Sequence, residues 1–198
     1  MSEVKKNRIR FTKVREVASP TRNNSTDAGI DFYVPTDLTV EDILSIPSNE
    51  QLNLANFNRG DVPHSTNSMN PVLPNIKDKL EDIILLPGER VLIPSGIKVL
   101  IEPEDSMLQA ANKSGIASKQ GLVFTAEIVD SPYVGEMHIG VVNTSNFAVY
   151  IPAGKKLIQF MHVPVFLTQP EEISNQEYHQ LAETWGTRGE NGFGSSGE

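Results

Sequence analysis

Residues 90–101 read Arg-Val-Leu-Ile-Pro-Ser-Gly-Ile-Lys-Val-Leu-Ile, and this stretch decides the fold class. Its two halves, 90–93 and 96–101, are short runs rich in branched apolar residues, and Pro94 and Ser95 stand between them. Short runs of this kind, bounded by Pro, Gly, Asn or Ser, predict β-strands rather than helices. We therefore expect two strands separated by a turn.

Other runs along the chain have the same character, and they lie at 32–34, 83–86, 137–142 and 148–151. A helix has one good candidate, from Asn175 to Thr184, where Ser174 and Glu177 have the spacing of a capping box. Many short strands with one brief helix predict an all-β protein, either a sandwich or a barrel.

The composition is that of a small globular protein. A chain of 198 residues with 38% hydrophobic and 21% charged residues predicts a single domain over 1–198. The absence of cysteine excludes a disulfide framework, a zinc–sulfur site and a thiolate nucleophile. No apolar run approaches ~18 residues, so we expect no membrane segment or signal peptide and a cytoplasmic location. A net charge of −8 disfavours strong nucleic-acid binding.

The C-terminal stretch 187–198 combines groups that grip anions with a flat aromatic ring. Arg188 offers a bidentate fork for phosphate, and Phe193 offers a face for a nucleobase. The surrounding glycines let backbone N–H groups approach an anion closely. The segment is interpreted as a flexible Gly-rich arm that closes over a ligand, and a disordered Gly/Ser tail is the alternative.

Four upstream segments complete a pattern with this arm, and they lie at 27–32, 112–117, 128–136 and 154–160. In this order and spacing, the five segments resemble the motifs of the homotrimeric dUTPase family. The resemblance covers roughly 10–36 and 83–198. It implies a jelly-roll-like β-barrel of the dUTPase type with a swapped C-terminal arm, and a homotrimer with shared active sites.

Residues 38–82 are a polar insertion after the first motif, where the resembled family has a much shorter connection. The chain therefore resembles a phage-like or bacterial-like variant of the family, and a phage-encoded chain would work in the host cytoplasm. A long insertion is either a solvated loop or a surface that contacts a partner or another subunit. Apolar residues at its start are placed to cover apolar surface, and they are Leu38, Val40, Ile43, Leu44 and Ile46.

The resemblance implies that the protein hydrolyses dUTP to dUMP and pyrophosphate with Mg²⁺ as cofactor. Asp130 then orients or deprotonates the attacking water, and Gln159 hydrogen-bonds a phosphate oxygen or that water. Tyr133 packs against the deoxyribose and leaves no room for a 2′-hydroxyl. Asp31 helps to hold the hydrated Mg²⁺ through water.

The remaining substrate contacts implied by the resemblance are Lys113, Ser114, Gly115, Arg188, Phe193, Gly194, Ser195 and Ser196. Where the family has Pro-Arg before the Ser-Gly pair, this chain has Asn112-Lys113. Lysine keeps the positive charge but loses the planar fork of arginine. Phosphate binding is therefore expected to persist with a less rigid orientation.

Two other functions remain open on the residues alone. A trimeric nucleotide-sensing regulatory protein would use the 38–82 insertion as its partner surface. A related dNTP pyrophosphatase would prefer another base, because the hairpin 121–130 is shorter than in many relatives and lacks their Asn near uracil. Deamination of dCTP is disfavoured, since the related deaminases carry a glutamate where this chain has Gly140.

Overall fold

The structure is a computed structural model that describes residues 7–58 and 74–185. The chain divides into two compact units, Met1–Val165 and Phe166–Glu198. The middle of the 38–82 insertion and the arm at 187–198 lie outside the described residues. The single-domain interpretation therefore stays a prediction.

The described residues are mostly β-strand. The strands are β1 (Arg8–Lys13), β2 (Ile30–Tyr33), β3 (Phe57–Asn58), β4 (Asp82–Leu85), β5 (Arg90–Glu102), β6 (Ser106–Ala111), β7 (Leu122–Phe124), β8 (Ile128–Asp130), β9 (Glu136–Asn143), β10 (Val149–Pro152) and β11 (Lys156–Pro164). The helices are α1 (Val40–Leu44), α2 (Ser114–Gln120) and α3 (Asn175–Trp185), and short 3-10 turns lie at Pro47–Asn49 and Leu54–Asn56.

The described strands form three sheets, with the orders β1-β5-β9-β7, β10-β4-β3 and β2-β11-β6-β8. Neighbouring strands are antiparallel throughout these sheets. The predicted all-β, jelly-roll-like class is confirmed, although the described sheets do not close into one barrel. Antiparallel sheets of this kind bury one face of each strand, which matches the alternating burial along β4 and β6.

The stretch 90–101 is one strand, so the prediction of two strands separated by a turn was wrong. β5 continues through Pro94 to Gly96, and a register shift between Pro94 and Lys98 marks a bulge in its pairing with β9. Gly96 has φ of +72°, and a Cβ there would lie 2.9 Å from Val17 Cγ1. The glycine therefore lets the strand bend without ending. Past the bulge, β5 pairs with β1.

The hydrophobic core lies between the inner faces of the sheets and is filled by branched and aromatic side chains. Phe32 of β2 and Phe160 of β11 pack edge to face, with ring centroids 4.9 Å apart. Both rings are almost completely buried. They anchor the edge strand β2 and its neighbour β11 in the third sheet, and this sheet carries most of the predicted site.

The described parts of the insertion are not a solvated loop. Leu38, Val40 and Ile43 are buried in the core, as their position at its start predicted, whereas Leu44 and Ile46 are only partly buried. Leu52, Phe57 and Leu80 from later in the insertion join the same core. The Asn-rich composition hid this burial. Four of the described asparagines of the insertion use their side chains in internal hydrogen bonds, and they are Asn49, Asn53, Asn56 and Asn75.

Asn49 is the clearest case, since it is fully buried and mimics a neighbouring strand. Its amide Nδ2 donates to the carbonyl oxygens of Leu92 at 2.8 Å and Ile43 at 2.9 Å. Its Oδ1 accepts from the Leu92 N–H at 2.7 Å. The side chain therefore pairs with both the N–H and the carbonyl oxygen of Leu92. Buried backbone groups need such partners, because an unpaired buried N–H or C=O destabilises the fold.

The second unit contains the predicted helix, α3. Ser174 Oγ accepts a hydrogen bond from the Glu177 N–H at 3.2 Å, as the expected cap requires. Among the helices of the described residues, none has the length and hydropathy needed to cross a bilayer.

Candidate active site

One sheet carries three of the five predicted motifs and leads directly into a fourth. In the order β2-β11-β6-β8, its strands hold Asp31, Gln159, the residue before Asn112-Lys113, and Asp130. Gln159 lies opposite Asp31 on one side and opposite Ala111 on the other. Residues directly opposite each other share a sheet face, so pairing register brings distant motifs together.

Asp31 is the most buried charged group of this sheet, with its side chain 6% exposed. Its Oδ1 accepts a hydrogen bond from Lys113 Nζ, and its Oδ2 lies 2.9 Å from Lys156 Nζ. Burial raises the pKa of Asp31, but hydrogen bonds from the two lysines outweigh it and hold the pKa below its ordinary value. The hydrogen bond to Asp31 in turn raises the pKa of Lys156.

Both carboxylate oxygens accept from ammonium groups, so a direct bond from Asp31 to Mg²⁺ would have to displace a lysine. The predicted contact of Asp31 with hydrated Mg²⁺ through water stays a prediction. Among the described residues, no group of three or more His, Cys, Asp and Glu side chains is placed to hold a metal ion.

Sequence reasoning assigned no role to Lys156, although it lies in the fourth motif. Lys156 and Gln159 are three residues apart, so they would face opposite sides of a regular strand. The register between β11 and β2 shifts between Lys156 and Ile158, and this bulge returns Lys156 to the face of Gln159. Leu157 and Ile158 are consecutive apolar residues, and both are fully buried. Two adjacent apolar residues interrupt the alternation of a regular strand, and this is the signal of the bulge in the sequence.

Gln159 has a fixed position beside this cluster. Its Nε2 donates to the Asn112 carbonyl oxygen at 3.1 Å. A Cβ at Gly29 would lie 2.8 Å from Gln159 Cδ, so only glycine leaves room for the amide. The glycine of the first motif therefore supports the glutamine of the fourth.

Lys113 precedes a helix that sequence reasoning missed. Ser114 and Gly115 begin α2, and the backbone N–H groups of Ile116 and Ala117 donate to the Lys113 carbonyl oxygen. Gly121 ends the helix in the left-handed region, with φ of +68°. Ser114 and Gly115 are exposed next to Lys113, as the predicted phosphate contacts require.

Asp130 and Tyr133 lie together on an exposed turn. Asp130 ends β8 as predicted, and its carbonyl oxygen accepts from the Tyr133 N–H at 3.0 Å. The Tyr133 hydroxyl donates to the Glu136 carbonyl oxygen at 2.8 Å, and the ring is 44% exposed. A Cβ at Gly135 would lie 2.6 Å from Tyr133 Cζ, so the Tyr-x-Gly spacing lets the ring fold back over the turn.

Glu136 anchors this turn to the rest of the protein. Its Oε1 accepts from Arg15 Nε at 2.9 Å and from the Gly96 N–H at 2.8 Å. Arg15 also donates to Asp42 of α1 at 3.0 Å, so the insertion is linked to the turn through one guanidinium. Sequence reasoning missed this network, because its members are far apart along the chain.

The predicted catalytic residues therefore form two groups within one chain. The lysine half consists of Asp31, Lys113, Lys156 and Gln159, and the hairpin half consists of residues 130–136. Gln159 pairs with Ala111 at one end of β6, whereas Asp130 pairs with Met107 near the other. Four residues of strand separate these rows by about 13 Å. One chain does not bring Asp130 to the lysine half.

A third feature concerns the position where the related deaminases carry glutamate. Gly140 of β9 accepts a backbone hydrogen bond from Thr125 N at 3.1 Å. A Cβ at Gly140 would lie 2.5 Å from Thr125 Oγ1 and 3.4 Å from Ala126 Cβ. β7 and β8 belong to different sheets, so the predicted hairpin 121–130 is instead a connection between two sheets. Its Thr125 side chain occupies the space that a side chain at 140 would enter.

The predicted contacts of the C-terminal arm lie outside the described residues. They are Arg188, Phe193, Gly194, Ser195 and Ser196, and their roles stay predictions.

Comparisons with known proteins agree on one family. Residues 79–197 match the family model described as dUTPase. The deoxyuridine 5′-triphosphate nucleotidohydrolase of Fusobacterium nucleatum is 40% identical over 129 residues, which are 64% of this chain and 81% of that protein. The enzyme of the same name from Clostridium novyi is 38% identical over 120 residues, 60% of this chain and 79% of that protein.

Solved structures of phage proteins share the fold. The Staphylococcus bacteriophage 80alpha dUTPase, solved with dUpNHpp, matches with a TM-score of 0.66 and 19% identity, over 98% of this chain and 100% of that chain. The dUTPase of phage phi11 of S. aureus matches with a TM-score of 0.58 and 19% identity, over 85% of this chain and 98% of that chain. The phi11 structure describes the coordination of a structural Mg(II) ion.

Proposed function

This chain belongs to the dUTPase family and is a dUTP diphosphatase, and we propose that it cleaves dUTP by an in-line water attack directed by Asp130. The bond that breaks joins the α-phosphorus to the oxygen that bridges it to the β-phosphorus. Water supplies the new oxygen on dUMP, and pyrophosphate leaves with the bridging oxygen. A proton passes from the water to the Asp130 carboxylate.

The observation that carries this proposal is the order of motifs on the third sheet. The first, fourth and third motifs include parts of β2, β11 and β8, and the second motif directly follows β6, which lies between β11 and β8 in the same sheet. A sheet positions side chains more rigidly than loops do, which favours a catalytic arrangement over chance proximity.

The lysine half is suited to bind the phosphate chain. Lys113 precedes the exposed Ser114-Gly115 pair, and Gln159 is held by the Asn112 carbonyl oxygen. Ammonium and amide N–H groups donate to phosphate oxygens and neutralise charge that develops on the leaving pyrophosphate. Fixed donors of this kind require little reorganisation during the reaction.

The hairpin half is suited to bind the sugar and the water. Tyr133 folds back over Gly135 and presents an exposed ring, against which a deoxyribose packs. A 2′-hydroxyl would meet that ring without a hydrogen-bond partner, so ribonucleotides are rejected. Asp130 stands one turn away and reaches the water near the α-phosphorus.

The two halves meet when the chains assemble. Because Asp130 and Gln159 lie near opposite ends of β6 within one chain, a complete site takes its hairpin half from one subunit and its lysine half from another. We infer a homotrimer with three shared sites, each closed by the arm 187–198 of a third subunit. We also propose that the protein is cytoplasmic.

Mg²⁺ stays the proposed cofactor, with the triphosphate oxygens as its main ligands, because Mg²⁺ binds substrate phosphates more readily than all-protein cages. When bound, it supplies charge neutralisation on the phosphates. Asp31 would contact the ion through one of its bound waters.

The test is release of pyrophosphate from purified protein with Mg²⁺ and each of dUTP, dTTP, dCTP and UTP. We expect rapid turnover of dUTP alone. Turnover of another deoxynucleotide in preference to dUTP would contradict the base assignment. Nucleotide binding without any pyrophosphate release would instead favour a nucleotide-sensing regulatory protein.

A further inference from the structure

We propose that Arg15 and Asp42 are positioning residues for Tyr133, so that helix α1 of the insertion sets how strictly the site excludes ribonucleotides. This inference rests on the proposed function, which assigns sugar discrimination to Tyr133. It extends that function, because neither Arg15 nor Asp42 belongs to any of the five motifs.

The position of the Tyr133 ring depends on the backbone of residue 136. The Tyr133 hydroxyl donates to the Glu136 carbonyl oxygen at 2.8 Å, and His138 Nδ1 lies 3.0 Å from the same oxygen. Because the ring is 44% exposed, packing holds it less firmly than it holds a core ring. A shift of Glu136 therefore moves the ring against which the deoxyribose packs.

The side chain of Glu136 is held at the bulge of β5. Its Oε1 accepts from the Gly96 N–H at 2.8 Å and from Arg15 Nε at 2.9 Å, and the side chain is only 18% exposed. The register shift between Pro94 and Lys98 takes Gly96 out of the pairing with β9, so the carboxylate takes the place of a strand partner. The carboxylate and the guanidinium therefore fix the start of β9, where the turn 130–136 ends.

The insertion holds the other edge of the Arg15 guanidinium. Arg15 Nη1 donates to Asp42 Oδ1 at 3.0 Å. Asp42 Oδ2 accepts from the N–H and from the hydroxyl of Thr39, each at 2.8 Å, which is part of the capping box of α1. Val40 and Ile43 of the same helix are fully buried. The core thus fixes the helix, and the helix presents Asp42 to Arg15 in one position.

An arginine is suited to this link, because its planar fork donates from Nε to one carboxylate and from Nη1 to another. Arg15 and Asp42 are 23% and 27% exposed, so water screens the contact only in part. Burial raises the pKa of Asp42, but hydrogen bonds from Thr39 and the charge of Arg15 hold it below its ordinary value. A lysine would carry its charge on one nitrogen and would not fix both partners at set angles.

The test compares kcat/KM for dUTP and for UTP in variants of this network. Asp42→Ala and Arg15→Met should each lower the dUTP-to-UTP ratio by about three- to tenfold, because the ring is present but less firmly placed. The kcat for dUTP should change less than this ratio does, since neither residue acts on the water. Arg15→Lys keeps the charge and should retain more of the ratio than Arg15→Met.

Glu41→Ala is the matched control, because Glu41 is an exposed carboxylate in the same turn of α1. It should keep the wild-type ratio, and thermal unfolding confirms that each variant is folded at the assay temperature. If Asp42→Ala does not fold, Asp42→Asn, which keeps the shape of the side chain, takes its place. In a Tyr133→Ala background, the Asp42 variant should leave the ratio unchanged, since the effect passes through the ring.

A spectroscopic measurement tests the positioning without catalysis. Incorporation of 3-fluorotyrosine labels the four tyrosines of the chain, and the ¹⁹F signal that is lost in Tyr133→Phe identifies Tyr133. We expect this signal to shift in Asp42→Ala and in Arg15→Met, and to stay in place in Glu41→Ala.

The inference is overturned if the folded Asp42 and Arg15 variants keep the wild-type ratio, or if the Tyr133 signal does not move in either. A fall in the ratio that is equally large in the Tyr133→Ala background would also overturn it. Failure of the proposed function looks different, because the wild type would then release no pyrophosphate from dUTP, or Tyr133→Ala itself would keep the wild-type ratio.

Discussion

The lysine half and the hairpin half of the site are built on opposite principles. In the lysine half, a buried carboxylate holds two cations, strand pairing positions Asp31, Lys156 and Gln159, and Lys113 is held at the start of α2. In the hairpin half, Asp130 and Tyr133 are exposed, and the turn is held by its own backbone and by the side chain of Glu136.

This difference indicates which half is complete before assembly. The lysine half already pairs its buried carboxylate inside one chain and keeps one excess positive charge, so it requires only an anionic ligand. The hairpin half leaves Tyr133 and Val134 exposed, Ile128 just before it is also exposed, and large apolar groups close together on a surface indicate an interface. Catalysis therefore depends on assembly, which brings the preformed lysine half of one subunit to the exposed hairpin half of another.

The largest effect is expected when the catalytic carboxylate of the hairpin half is removed. Asp130→Asn should lower kcat by roughly 10²- to 10⁴-fold with little change in KM, because the carboxylate acts on water in the transition state. Steady-state kinetics on dUTP measure this. Glu104→Gln, an exposed carboxylate before β6, is the control and should match the wild type. An Asn variant at the wild-type rate would remove Asp130 from the reaction.

The next test mixes subunits to determine whether the two halves of one site come from different chains. Asp130→Asn and Lys113→Gln chains, each of low activity alone, should recover activity after subunit exchange. In random trimers, about a quarter of the sites combine an intact hairpin half with an intact lysine half. Native mass spectrometry verifies the exchange. If exchanged trimers recover nothing, both halves serve a site within one chain.

A smaller effect is expected in sugar discrimination. Tyr133→Ala should lower the ratio of kcat/KM for dUTP over UTP by about 10- to 100-fold, because the ring no longer excludes the 2′-hydroxyl. Tyr133→Phe keeps the ring and loses only the hydroxyl bond to Glu136, so it should retain most of the discrimination. An unchanged ratio in the Ala variant would remove this role.

The anchor of the hairpin half should have a modest effect on stability. Arg15→Met leaves Glu136 and Asp42 without their guanidinium, and we expect a loss of about 1–3 kcal/mol in the free energy of unfolding. Arg10→Met removes an exposed pair with Glu102 and should cost far less. Urea unfolding compares the two. Equal losses would show that the network does not anchor the turn.

The smallest expected effect is the pH dependence of the lysine half. The pKa of Asp31 lies below its ordinary value of 3.8 when the chain is folded. Its contribution to stability is therefore present above the unfolded pKa and is lost as pH falls through the folded one, mainly below about pH 5. Urea unfolding across acid pH should show a shallower loss for Asp31→Asn than for the wild type. Glu104→Gln, at an exposed carboxylate, is the surface control.

The sequence predicted much of the fold, because alternating apolar residues report a strand wherever it lies. It also predicted that Asp130 ends a strand, since a carboxylate followed by Ser-Pro cannot continue a buried run. The insertion was harder to interpret. Its asparagines look solvated in sequence, and only the structure shows Asn49 bonded to both backbone groups of Leu92.

The facing of Lys156 could not be predicted from its position. In a regular strand with a period of two, Lys156 would lie on the other face of the sheet from Gln159. The bulge in β11 places both side chains on the same face. Bulges depend on the partner strand, which a single sequence does not specify. The same limit explains why the predicted turn at Pro94 to Gly96 was wrong, since the strand bends there and continues. Arg15, Asp42 and Glu136 meet only through tertiary folding.

Gly140 constrains how this scaffold can evolve. A glutamate there would bring the acid that deamination requires, and its first carbon would lie 2.5 Å from the Thr125 hydroxyl, whereas the next atoms, of Ala126, lie at 3.4 Å. The Thr125 side chain must therefore rotate or be replaced before the acid fits. Residue 125 lies in the segment expected to recognise uracil, so acquiring the acid is coupled to a change in base recognition.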